Sequence, residues 1–173
     1  MEKPEKMILT AGPSITQKEI DYVNDAAQNG WNFHLDDYVV SFEKTLANYV
    51  GAQHCVAVTR GTHALHLALI LFGIGPGDEV IMPDMTFVAC SNTVEYTGAK
   101  PVFVDIDPKT WCIDIDSFKN AITSKTKAVM PVWMYGNAPA MEKIMEIAKQ
   151  HNLKVIEDSC PALGTLYNGK SAG

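Results

Sequence analysis

The spacing of apolar residues divides the chain into two regimes. Residues 16–29 place Ile20, Val23 and Ala27 on one face at helical period, with Thr16 and Glu19 at capping-box spacing and Gly30 as the stop. A second helix is predicted over 37–50, with Val39, Phe42, Leu46 and Tyr49 on one side and Gly51 at its end. Trp31 to Asp37, which shows no period, reads as the loop between them. Beyond residue 51 short apolar runs take over. Strands are predicted at His54–Val58, Glu79–Met82, Pro101–Asp105, Lys127–Val132 and Leu153–Glu157.

Helical patterns fill the gaps. His63–Phe72 is apolar almost all round and predicts a buried helix. Further helices are expected over 86–96, from Asp114 or Asp116 to Ile122, and after Pro139, the last with Met141, Ile144, Met145 and Ala148 on its face. Five strands alternating with helices imply right-handed crossovers around a mostly parallel sheet, an α/β fold with helices on both faces. The two N-terminal helices are expected to pack as an arm against that domain or a partner subunit.

Composition narrows the function classes. The chain has 173 residues, 47% hydrophobic and 20% charged, which suits one domain with extensions and excludes a disordered chain. The net charge is −6, and Arg60 is the only arginine among thirteen lysines that form no basic run. Binding to a nucleic-acid backbone needs clustered cations, so nucleic acid is not an expected partner. No apolar run reaches the roughly 18 residues of a membrane span, and the N-terminus lacks the apolar core of a signal peptide. A cytoplasmic protein is therefore expected. Cys55, Cys90, Cys112 and Cys160 are widely spaced, which suggests reduced thiols or small buried hydrophobes and no zinc site.

Ligands of an open parallel sheet bind outside the carboxyl ends of its strands. Three segments fall at such ends, and each has two readings. Thr59-Arg60-Gly61-Thr62-His63 opens a helix and suits either a phosphate or a plain N-cap. Phe87, after the second strand, is either a stacking surface for a flat ring or core. Asp158, after Glu157 at the end of the last strand, meets a cationic ring nitrogen or a metal, or caps the next turn. His63 and His66, at i,i+3, lack a third ligand and fit helix packing better than a metal. Gly73–Asp78 follows a helix and precedes a strand, the reverse of a dinucleotide fingerprint, and reads as a turn.

The ordered run of segments is more specific than any one of them. Gly61-Thr-His-Ala-Leu-His-Leu-Ala-Leu69, Gly73-Ile-Gly-Pro-Gly-Asp-Glu-Val-Ile81 and Thr86-Phe-Val-Ala89 resemble the DegT/DnrJ/EryC1/StrS family of sugar aminotransferases. So do Gly98-Ala-Lys-Pro-Val-Phe-Val-Asp-Ile-Asp107, Ala121-Ile-Thr-Ser-Lys-Thr-Lys-Ala128, Tyr135-Gly136 and Val155-Ile-Glu-Asp158, with Gly30-Trp31 and Phe42-Glu43 upstream. The similarity runs over about residues 8–173.

The resemblance implies the fold type I scaffold and the cofactor pyridoxal 5′-phosphate (PLP). Backbone N–H groups around Gly61, Thr62 and His63 would hold the cofactor phosphate, Phe87 would stack on the pyridine ring, and Asp158 would pair with its nitrogen. It further implies a homodimer acting on a nucleotide-linked keto-sugar with an amino acid such as glutamate as donor. Residues 1–51 would be the helical arm and 52–173 an incomplete PLP-binding large domain, with the small C-terminal domain absent.

Three departures from the family pattern stand out. Pro161 replaces a Gln or His able to reach the cofactor's phenolic oxygen. Trp133 replaces a frequent His, which suggests a different substrate pocket. The Schiff-base lysine of the family follows the Gly-Lys-x-x-Gly segment, here Gly169-Lys170-Ser171-Ala172-Gly173, so no catalytic residue is assigned within the chain and Lys170 is not promoted to that role. The chain alone is expected to be inactive. A dehydratase of the same family, with His for that lysine, and a non-catalytic ligand-binding or dimerisation module are the alternatives.

Overall fold

The computed structural model describes residues 12–173, so the first residues of the expected arm lie outside it. Two compact units are present, one ending at Glu43 and one spanning Lys44–Gly173. The first contains α1 (Gln17–Asn29) and the start of α2 (Asp37–Val50). The Thr16 N–H donates to Glu19 Oε2 at 2.7 Å, the return half of the expected capping box. α1 buries no residue, and Ile20 and Val23 of its apolar face are exposed.

The second unit continues with α3 (Gly61–Leu71), β1 (Glu79–Pro83), α4 (Ala89–Tyr96), β2 (Lys100–Val104) and α5 (Ile115–Asn120). β3 (Thr126–Val129), α6 (Met141–His151) and β4 (Lys154–Val155) follow, then the short hairpin β5 (Leu166–Tyr167) and β6 (Lys170–Ser171). Four strands pair in parallel in the order β2-β1-β3-β4. From β1 the chain crosses to one side through α4, then returns past β1 to the other side through α5. This reversal makes a switch point at the carboxyl ends of β1 and β3, where a parallel sheet leaves room for a ligand.

Both faces of the sheet are covered, and the two-residue period of the strands sorts their side chains between two cores. Val80, Met82, Ala128, Met130 and Ile156 join Leu65 and Leu69 of α3 and Cys90 and Val94 of α4. Ile81 and Val129 point the other way, onto Phe118 of α5 and Ile144, Ile147 and Ala148 of α6.

Several expectations are corrected. His54–Val58 forms no strand: the parallel sheet consists of β1–β4, and alternation alone does not bring a segment into its ladder. Cys55 and Ala57 are half-buried while Val56 and Val58 stay exposed. α3 is not buried all round, because a sheet covers only one stripe of a helix; Leu67, Ile70 and Leu71 face outward. On α6 the buried stripe runs through Ile147, and Met145 is exposed. The β5–β6 hairpin was not anticipated, although Asn168-Gly169, both at positive φ, is the standard two-residue signal for one. Among the described residues no helix is long and apolar enough to cross a membrane.

Candidate active site

A cavity of about 610 Å³ opens at the switch point. Its wall combines Arg60, Gly61 and Thr62 at the start of α3, Thr86 and Phe87 after β1, Val132, Met134 and Tyr135 after β3, and Asp158, Cys160 and Pro161 after β4. Gly61, Thr62, Phe87 and Asp158, singled out separately in the sequence, thus meet in one place.

The N-terminus of α3 borders this space. The first N–H groups of a helix have no intrahelical acceptor and carry the positive end of its dipole. The ladder begins only at His63, whose N–H donates to the Arg60 carbonyl at 3.0 Å, and Ala64, whose N–H donates to the same oxygen at 3.2 Å. Gly61 and Thr62 therefore offer the better anion donors, and His63 does not line the cavity. The His63 ring instead contacts Thr59 Oγ1 at 2.6 Å through Nδ1, and His66 sits edge-on to Tyr96.

Gly61 is fixed by its neighbour as well as by its role. A Cβ placed there would lie 2.7 Å from Cys160 Sγ. Gly61→Ala is expected to lower unfolding stability by about 1–2 kcal/mol through this overlap. In a Cys160→Ala background the same change should be neutral or slightly stabilising, since Ala is the better helix former. Urea unfolding of the four proteins checks this; an equal loss in both backgrounds would refute it.

Asp158 is held by its backbone on both sides. Its N–H donates to the Pro131 carbonyl at 2.9 Å, and its carbonyl accepts from the Trp133 N–H at 3.0 Å, which extends the β3–β4 ladder past both strands. Alternation then sends Ile156 and Asp158 to one face and Glu157 to the other. Glu157 accepts from the Trp133 indole Nε1 at 2.9 Å, and the Trp133 ring meets Tyr167 edge-on. Trp133 is only 2% exposed and does not line the cavity. It packs on the far side of the sheet from Asp158.

The Asp158 side chain is 5% exposed, the one charged residue buried among those described. Its partners are neutral: Oδ1 accepts the Cys160 N–H and Oδ2 accepts the Cys90 thiol, each at 3.1 Å. Burial pushes the Cys90 thiol up to about 12 and Cys160 up to about 11, each helped by the Asp158 charge. Neither thiol is thus primed as a nucleophile. A buried carboxylate that no Lys or Arg neutralises among the described residues is expensive, and it fits a ligand that brings its own positive charge. The sequence does not reveal Cys90 as a partner of Asp158, because 68 residues separate them, whereas Cys160, two residues on, reaches the acid through its backbone N–H.

Phe87 is 72% exposed, so it is not core. Its ring is free to cover a flat ligand. Pro161 also lines the cavity, in a 3-10 turn over Cys160–Ala162, and has no donor to offer. Lys170 lies on β6 away from the cavity, whose lining contains no lysine.

The model of the DegT/DnrJ/EryC1/StrS aminotransferase family matches residues 13–173. The chain belongs to this family. It is 46% identical over 166 residues to a GDP-perosamine synthase of Caulobacter vibrioides, covering 96% of this chain and 45% of the relative. An aminotransferase structure from Psychrobacter cryohalolentis superposes with a TM-score of 0.90 at 38% identity, over 95% of this chain and 42% of that one. A protein of Streptococcus pneumoniae solved in its PLP form gives 0.87 at 31% identity, over 96% and 46%. The chain spans less than half the length of the curated relatives it matches.

Proposed function

We propose that this chain is the N-terminal, cofactor-binding part of a PLP-dependent nucleotide-sugar aminotransferase, which moves an amino group from an amino acid such as glutamate to a nucleotide-linked keto-sugar. The buried Asp158 carboxylate, satisfied only by neutral donors beside an anion-ready helix start, carries this reading. The relatives named above support it.

In this reading the N–H groups of Gly61 and Thr62 hold the phosphate, with His63 contributing through the hydrogen-bond ladder it opens in α3. Phe87 covers one face of the ring and fixes its plane. Asp158 keeps a proton on the ring nitrogen through a charge-assisted hydrogen bond. PLP, when bound, supplies an electron sink that a protonated ring strengthens. The proton carrier would be a lysine beyond Gly173, so the 173-residue chain binds cofactor without turning over substrate. The complete protein would be a cytoplasmic homodimer, its association supported by the apolar residues that α3 leaves outward.

Pyridoxamine 5′-phosphate (PMP) tests the site, because it lacks the aldehyde that reacts with surface lysines. Saturable one-to-one binding by fluorescence titration is expected, with no amino transfer from glutamate to a keto-sugar nucleotide. Failure to saturate, or turnover by this chain, would sink the reading.

A further inference from the structure

The proposal above uses Asp158 but says nothing of the thiol bound to it. Cys90 sits in the first turn of α4 with no exposed surface, and it is joined to two groups. The Thr86 hydroxyl, one turn earlier, donates to Cys90 Sγ at 3.1 Å. The thiol hydrogen is thereby left to donate elsewhere, and Asp158 Oδ2 lies 3.1 Å away. On its other side the carboxylate takes the Cys160 N–H through Oδ1. Each oxygen has one neutral donor, from a different element, and the plane of the carboxylate follows from the two together.

We infer that Cys90 is a positioning residue: the relay from Thr86 through Cys90 sets the orientation in which Asp158 meets the ring nitrogen of the cofactor. The inference rests on the PLP reading of the cavity. Chemistry favours a thiol in this place. It is a weak donor, so it fixes direction while leaving the carboxylate's charge largely for a cationic partner. Burial keeps it protonated, so no second negative charge arises beside Asp158. The other titratable groups facing this region are Cys160 and, on the cavity wall, Arg60 and Tyr135; a change at Cys90 leaves all three in place.

The experiment compares wild type, Cys90→Ala and Cys90→Ser by equilibrium titration with PMP, and follows the absorbance of bound PMP against pH. Asp158 favours the protonated ring, so loosening it lets the ring proton leave at lower pH. Cys90→Ala is expected to lower that pH midpoint by about one unit, as Asp158 loses its fixed orientation, and to weaken binding of the protonated form by the matching factor of about ten. Cys90→Ser, which keeps a donor in place, should recover the midpoint and bring affinity back to within about threefold of wild type.

A role in packing alone would lower the melting temperature and leave the midpoint unmoved. An unchanged or raised midpoint in Cys90→Ala therefore overturns the inference, as does a serine variant no better than alanine. If wild type binds PMP and Cys90→Ala matches it, the role of Cys90 fails and the cavity reading stands. If wild type does not bind PMP, both fall.

Discussion

Asp158→Asn is expected to weaken PMP binding by about 10–100-fold, the span of a hydrogen bond to a charged group, while changing unfolding stability by less than about 1 kcal/mol. In the proposed reading the two effects separate, because the buried acid serves a ligand more than the fold. The amide keeps an oxygen for the Cys160 N–H, and the Cys90 sulfur can turn to accept where it now donates. Removing a buried charge with no cationic partner also relieves a desolvation cost, which offsets the poorer hydrogen bonding. What the amide cannot supply is the negative charge opposite a ring nitrogen. PMP titration and urea unfolding on the same preparations check both halves. Wild-type affinity in the asparagine variant would show that the carboxylate is only a turn cap.

Asp158→Ala should behave differently. It leaves the Cys90 thiol and the Cys160 N–H facing empty space, so it loses stability along with affinity. The contrast between the two variants is the sign that Asp158 sits in a preorganised cradle.

How far this was readable beforehand depends on the kind of signal. Helical and strand periods locate α4, α6 and β1 to within a few residues, because burial on one face imposes them directly. The acid at 158 is visible because strand ends are where a parallel sheet places its chemistry, and the glycine at 61 because it opens a helix, although the strand expected before it does not form. Pairing is not written in a local period. His54–Val58 has the alternation of a strand and stays outside the sheet, whose edges at β2 and β4 are open, so alternation alone does not choose a partner. The same limit hides which face each residue takes: Glu157 and Asp158 look equivalent, and only the register with Val132 sends one to the Trp133 indole and the other to the cavity. Cys90 is the extreme case. It lies 68 residues from the acid it touches and has an unremarkable neighbourhood in sequence.

Phe118→Ala tests the division of labour between the two faces. Phe118 is fully buried on α5, among Ile81, Val129 and Ile144, and is the largest of the fully buried side chains. α5 has only six residues, too few to be stable by itself. Its start is held by the Asp114 carboxylate, which accepts the Ser117 N–H at 2.8 Å, and its docking depends on the Phe118 ring. Truncation is expected to cost about 3–5 kcal/mol, the range for a buried aromatic, out of a total of roughly 5–15 kcal/mol for a domain. Phe118→Leu, which keeps most of the volume, should lose much less. Yet the Asp158 cradle is built on the opposite face, from Cys90 and the residues packed with Ile156. PMP affinity of the folded fraction should therefore stay within about threefold of wild type, as expected for distant sites with no shared partners. Urea unfolding gives the first number and PMP titration below the transition gives the second. A large fall in affinity with Phe118→Ala would mean that the two cores act as one unit, and that the site depends on the whole sandwich instead of the face that carries it.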